Sequence, residues 1–493
     1  MLISDRLLLN FKRCQRRAYL NQHRRQPPDS EREFVTKLRE ESRRHSDNFV
    51  ETYYPDHIRV TPGHPIQKAT ETLTLMVRGI DCIYQGQLRC FGADMQSWLD
   101  LDCGSNLFDS RPSLLVKEPG NSRFGPWQYR NISIQLGRRA KSEYKLVAAF
   151  QSYVLASIQE TAPLPPDIVL RDHHRHQVQL SYKREHLQEM LTAILSSLAQ
   201  TEPPEVFISR QRCSLCRWYS DCYAEATQNR HLSLVPGVTP QRYAHLRTLE
   251  IESVAALATA SPLQTGELLG YGFARQLQQQ AAALHYQRPF LRQPDKPPPI
   301  FPNAEVELFF DIEAEPERNV DYLWGVLFVE NSCQTAKFKG FVAEAVDEEE
   351  QTWLNFLNFV QTYPNAPIYH YSAYEIEAVR KLGQRYRMDP QIITDLLTRF
   401  VDVHHHLVNT VTLPVENYSL KTLANWLGFQ WRDPEANGEV SVCWYDRWLK
   451  EGNREYLERI IDYNEDDCRA TWHLKTWLTE FWGTADSLNR ASS

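Results

Sequence analysis

Long hydrophobic runs are what this 493-residue sequence lacks. In the opening stretch MLISDRLLLNFKRCQRRAYL no apolar run exceeds three residues before Lys12 and Arg13, which predicts no secretory signal. No later stretch approaches the ~18 apolar residues of a membrane span. A cytoplasmic location and no membrane partner are therefore expected. In a reducing compartment the ten cysteines do not predict a disulfide framework, and a Cys-x2-Cys pair there is more often metal-binding or redox-active. Charge of one sign is also scarce overall, at a net −7, but its distribution is uneven. Residues 1–230 hold 32 Lys and Arg against 26 Asp and Glu, a net +6, whereas residues 231–493 hold 23 against 36, a net −13. Such asymmetry suits an anionic polymer as partner for the first half and cations for the second.

The length predicts about three domains of roughly 150 residues. The stretch RPFLRQPDKPPPIFPN (288–303) has six prolines in sixteen residues, which disfavours helix and marks a linker. Before it, residues 1–228 mix helical patterns with short strands such as GIDCIYQGQLRCFG. Residues 229–287 place Gly or Pro-Gly before amphipathic runs, in LSLVPGVTPQRYAHL and GYGFARQLQQQAAAL. This resembles helix-hairpin-helix modules, whose turn amides contact phosphate backbone; a plain helical connector fits the same pattern. After the linker, residues 304–485 alternate strands (AEVELFFDIEAE, LWGVLFVE, APIYHYS) with helices, which predicts an α/β layered domain.

The strand ending in FFDIEAE carries Asp311 and Glu313. A period of two sends both side chains to one face. Neighbouring carboxylates repel unless a hard divalent cation such as Mg2+ or Mn2+ takes their oxygens. Far downstream, REYLERIIDYNEDDCRATWHL places Tyr463 and Asp467 at i and i+4 on one helix face, so that one acid completes a metal site while the phenol holds a water. His404, His405 and His406 are consecutive and cannot all face one ion; that run reads as surface.

In order and type, these motifs resemble the DEDD exonucleases of the RNase H-like superfamily, tyrosine subtype. The second motif of that family, Asn-x2-Phe-Asp, corresponds to Tyr371-Ser-Ala-Tyr374-Glu375, with Tyr for Asn and Glu for Asp. The motifs fall 64 and then 92 residues apart. VDVHHHLVNT (401–410) and YSLKTLANWLGF (418–429) resemble the YprB-type branch and make Asp402 the reserve acid. The resemblance implies two-metal hydrolysis of DNA or RNA, with Asp311, Glu313, Glu375 and Asp467 on two Mg2+ or Mn2+ ions and Tyr463 on the water.

The cysteines group unevenly: CSLCRWYSDC carries Cys213, Cys216 and Cys222, and Cys14 lies about 200 residues upstream. This spacing resembles the iron-sulfur nuclease domains of the RecB-like superfamily, where four thiolates hold a 4Fe-4S cluster that staples the two ends of a restriction-endonuclease-like α/β domain. A four-cysteine Zn2+ site satisfies the same count. That family cuts DNA with an Asp and then an acid-x-Lys pair. CIYQGQLRCFGADM fits its early strand pair, with Asp94 as the first acid, but the next strand has Ser133 and Gln135 in place of the acid and the lysine. His45, at the place of a metal-binding histidine in relatives, then reads as a leftover or core residue. Together the halves resemble RecB-like nucleases with a C-terminal YprB-type domain. The resemblance implies a 3′ to 5′ exonuclease whose inactive first half grips nucleic acid. The rival is a noncatalytic adaptor serving a helicase or repair partner, and the bland alternative is a set of unrelated surface acids.

Overall fold

The computed structural model describes residues 1–24, 26–293, 296, 299–330 and 335–491, with residue 182 and residues 485–491 described by backbone only. Pro294, Asp295, Pro297 and Pro298 of the proline-rich linker thus lie outside the described residues. The protein is a mixed α/β chain in two compact units. One comprises Met1–Val206 with Arg210–Tyr223, the other Phe207–Ser209 with Ala224–Ser493. Among the described residues, no helix is long and apolar enough to cross a membrane.

In the first unit a long hairpin, Leu114–Ser122 with Gly125–Ile134, anchors a six-stranded mixed sheet. A second, three-stranded sheet has Leu107–Ser110 at its centre, flanked by Leu2–Ser4 and Leu88–Phe91. Helix Ser142–Gln159 lines the core through Leu146, Phe150, Tyr153 and Val154. The structure corrects the expected strand pair at 82–95. Cys82–Tyr84 joins the six-stranded sheet and Leu88–Phe91 the smaller one. Gln85, with φ +58°, turns the chain between them. Asp94 sits in the first turn of the next helix, where its carboxylate accepts the Phe91 N–H at 2.8 Å. It caps that helix.

At the positions expected to have lost acid and lysine, polar side chains satisfy one another in a network that ends on the Asp5 carboxyl. Buried Ser133 donates to Gln151 Oε1 at 2.8 Å, Gln151 Nε2 donates to Asp5 Oδ2 at 3.0 Å, and Ser152 donates to Asn131 Oδ1 at 2.7 Å. Gln135 is half-buried and its N–H donates to the Val169 carbonyl. His45 is half-buried, with its ring 5.5 Å from that of His173.

The second unit begins with helices Pro240–Thr248, Val254–Thr259, Pro262–Leu269 and Tyr271–Tyr286 around their own core of Leu246, Leu257 and Leu277. Thr239 and Ser253 cap two of them by accepting from the third amide of each helix. Phe290–Leu291 pairs antiparallel with Val411–Thr412.

The rest of the unit is built on five strands: β1 (Val306–Glu315), β2 (Val320–Glu330), β3 (Thr335–Val342), β4 (Ile368–His370) and β5 (Phe400–Asp402). Their spatial order is 3-2-1-4-5; β1, β4 and β5 run parallel while β2 is antiparallel to both neighbours. Helices α1 (Glu349–Gln361), α2 (Tyr374–Arg385) and α3 (Pro390–Leu397) cover one face. Covering the other are α4 (Val403–Thr410), α5 (Leu420–Trp426) and α7 (Arg454–Ala491), with α6 (Gly438–Glu451) packed against α7 and the Val320 end of β2. Because both faces are covered, β1 reads as an apolar run in which Leu308, Phe310 and Ile312 face the α1 layer and Phe309 faces the α7 layer. Asp311 and Glu313 share the face of Phe309.

Candidate metal centre

Three elements bring the acids together. β1 supplies Asp311 and Glu313, α7 supplies Asp467, and the first turn of α2 supplies Glu375. The ligand oxygens of Asp311, Glu313 and Asp467 all lie within 4.8 Å of one another. Among the described residues this is the one group of three or more His, Cys, Asp or Glu that converges so closely. Glu375 stands just outside it. Its charge still reaches Asp311, but its Oε2 lies 3.5 Å from both His370 Nδ1 and the Ser372 hydroxyl.

The helix α7 meets β1 and β2 along a stripe of Asn464, Asp467, Cys468 and Thr471, at the three- and four-residue spacing of one helix face. Asn464, Cys468 and Thr471 are fully buried. Asn464 Nδ2 donates to Asp311 Oδ2 at 2.7 Å. Gly325, paired with Asp311 across β1 and β2, admits that side chain: a Cβ on Gly325 would lie 1.6 Å from Asn464 Oδ1. Tyr463 is hydrogen-bonded to Asp467 and feels the charges of Glu313 and Asp311 as well. From the segment between α5 and α6, Trp431 Nε1 donates to Asp467 Oδ1 at 2.7 Å. Ser441 on α6 hydrogen-bonds Glu313 and lies 2.6 Å from the Tyr322 hydroxyl.

Burial and mutual repulsion raise the affinity of these acids for protons. Glu313 is pushed up to about 8, by burial first and the charge of Asp467 second. Asp467 is pushed up to about 7 by burial, which the hydrogen bonds from Trp431 and Tyr463 partly oppose. Asp311 rises well above the ordinary range through burial and the charges of Asp467, Glu313 and Glu375. Carboxylates that repel one another in a buried site are the donor set that a hard dication favours, so the triad fits a divalent metal.

Asp402, the reserve acid, has one oxygen engaged by backbone. It caps α4, accepting the His405 N–H at 3.0 Å and the Ser372 N–H at 3.2 Å through the same oxygen. The histidine run is not uniform surface: His405 is exposed, while His404 packs on Tyr371 and His406 on Phe301. In the first unit, Cys216 and Cys222 pack on the core and both feel the charge of Cys14. Cys216 N–H donates to the Cys213 carbonyl. The segment is tied back by Trp218 Nε1, which donates to Asn21 Oδ1 at 2.8 Å, and by Arg24, which donates to Asp221 at 2.9 Å.

The sequence pattern did not single out Asn464, Trp431, Ser441, His370 or Gly325. Only Asn464 left a signal, as the member of Asn-Glu-Asp-Asp that shares the Asp467 face.

Residues 308–479 match the RNase_H_2 family model of the RNase H superfamily, and this region has the RNase H-like fold. No curated protein matches the chain.

Proposed function

We propose that this protein is a metal-dependent nuclease of DNA or RNA, an exonuclease of 3′ to 5′ polarity, with the cut made by the second unit. The observation that carries the reading is the convergence of Asp311, Glu313 and Asp467 within 4.8 Å, with Tyr463 bonded to Asp467. Bound Mg2+ or Mn2+ would supply Lewis-acid activation of water and stabilisation of the leaving oxygen. The three carboxylates would hold the first ion, and Glu375 with Asp311 would share the second. Tyr463 would orient the attacking water, its phenol directed by Asp467. Asn464, Ser441 and Trp431 keep the acids in place. A 3′-labelled and a 5′-labelled single strand, each as DNA and as RNA, test the reading. Label released from the 3′ end by the wild type and not by Asp311→Ala or Glu313→Ala is the expected result. Equal digestion by Asp311→Ala would remove the site assignment.

The first unit is assigned nucleic-acid binding without catalysis, because Ser133 and Gln135 stand where the resemblance places the acid and the lysine, and Ser133 bonds to the neutral Gln151. Cys14, Cys213, Cys216 and Cys222 are assigned a 4Fe-4S cluster. That choice rests on the resemblance to the RecB-like iron-sulfur domains, and a four-cysteine Zn2+ site satisfies the same ligand count. Charge-transfer absorbance of anaerobically purified protein decides between them; a colourless protein with stoichiometric zinc reverses the choice.

One observation favours a second reading, a noncatalytic nucleic-acid adaptor acting with a helicase or repair partner. Glu375 rests on His370 and Ser372 rather than in the triad. Mn2+ titration separates the two: two ions bound by the wild type and lost in Asp467→Ala support the enzyme, and no ion bound supports the adaptor.

A further inference from the structure

We propose that Asp402 is a positioning residue. It holds the turn Tyr371–Tyr374 in a strained conformation that sets where Glu375 stands relative to Asp311. The placement begins in the sheet, where β4 and β5 end side by side with His370 paired to Asp402. One carboxylate oxygen of Asp402 accepts two amides, Ser372 N–H at 3.2 Å and His405 N–H at 3.0 Å. Ser372 has φ +105°, a conformation that residues with a Cβ rarely adopt and that persists only where the surroundings over-determine it. The hydrogen bond that the Ser372 N–H donates to Asp402 is such a constraint. Ser372 then acts on Glu375 directly: its hydroxyl donates to Glu375 Oε2 at 3.5 Å while accepting the Tyr374 N–H at 3.4 Å. Asp402 is thus two steps from Glu375, with its own oxygen committed to backbone. The charge of Asp402 also reaches Glu375, so the two acids are neighbours with different tasks.

The cleavage part of the test rests on the nuclease reading; the exchange part does not. Asp402→Asn keeps the oxygen acceptor and removes the charge, whereas Asp402→Ala removes both. In full-length protein, Asp402→Asn is expected to retain far more of the wild-type kcat than Asp402→Ala, with Mn2+ affinity lowered only by the lost charge that reaches Glu375. Asp402→Ala is expected to lose on the order of a hundredfold in kcat with little change in KM, the scale of a misplaced reacting group. Amide hydrogen exchange at 371–376 should accelerate in Asp402→Ala and not in Asp402→Asn. Ser372→Ala, which leaves the Asp402 contact to the amide intact, guards against misfolding of the first variant and should lower kcat in the same direction. An Asp402→Asn protein as inactive as Asp402→Ala, with weakened Mn2+ binding, would make Asp402 a metal ligand and overturn the proposal. Unchanged exchange in Asp402→Ala would overturn it as well. If the wild type neither cleaves nor binds Mn2+, the nuclease reading fails and the exchange data still decide the role of Asp402.

Discussion

Asp311 accepts from Asn464, Glu313 from Ser441, and Asp467 from Trp431 and Tyr463. These donors are neutral, so they orient the acids without cancelling their charge. Lys421 reaches Asp467 and opposes its rise only in part, and the repulsion that remains is there for a divalent cation to relieve. Glu313 and Asp467, raised to about 8 and about 7, therefore hold protons near neutrality in the metal-free protein. The sign of the linkage follows. Acids raised in the folded state contribute stability that is complete below their unfolded values near 4 and is lost as pH rises through 7 to 8. Thermal unfolding in EDTA should show a midpoint that falls between pH 6 and 9, and Glu313→Gln should flatten that fall. Added Mn2+ should bind more tightly as pH rises and release protons on binding, measurable by calorimetry in buffers of different ionisation enthalpy. A metal-free midpoint that rises over the same interval more steeply in the wild type than in Glu313→Gln would remove this account of the site.

Between β2 and α7 the decisive contact is the one where Gly325 makes room for Asn464. No positive φ is involved; the requirement is the 1.6 Å approach that a Cβ would meet. Gly325→Ala should cost about 1–3 kcal/mol by overpacking, and it should also displace the donor to Asp311. In an Asn464→Ala background the same substitution should cost less, with a coupling of about 0.5–3 kcal/mol in a double-mutant cycle. Urea denaturation of the four proteins measures this, and additive losses would show that the two positions do not meet. What the sequence made legible at this scale is unequal. The period of two in FFDIE and the i, i+4 pair Tyr463 and Asp467 placed both halves of the triad, because side-chain direction in a regular element depends only on local periodicity. Trp431 and Ser441 left no such trace: they reach the site from an irregular segment and a neighbouring helix, and which atoms they meet is decided by tertiary packing. The sequence offers Asp402 as a spare ligand, and it does not distinguish an acid at a strand end that faces a metal from one that accepts two backbone amides. The split of 82–95 between two sheets was hidden for a related reason: Gly86 signals a turn between Tyr84 and Leu88, but not whether the two strands it joins pair with each other or with distant partners.

At the scale of the whole chain, the charge imbalance constrains how a nucleic acid can be held. Residues 231–493 carry a net −13, and residues 1–230 a net +6. Phosphates are repelled by the first of these and attracted by the second, so the nuclease reading proposed above assigns metal-independent affinity to the N-terminal unit. On that reading, metal at the acid triad would serve cleavage and local neutralisation rather than capture. Fluorescence anisotropy with a labelled single strand should therefore find binding that survives EDTA and weakens steeply with salt. For a track that neutralises about four phosphates, a fourfold rise in salt should weaken binding by roughly fiftyfold, from a slope of about −0.7 per phosphate. Replacing Asp311 with Ala should leave this binding unchanged while cleavage is lost. Binding abolished by EDTA, or insensitive to salt, would place capture at the metal centre and leave the basic excess of the first unit as ordinary solvated surface.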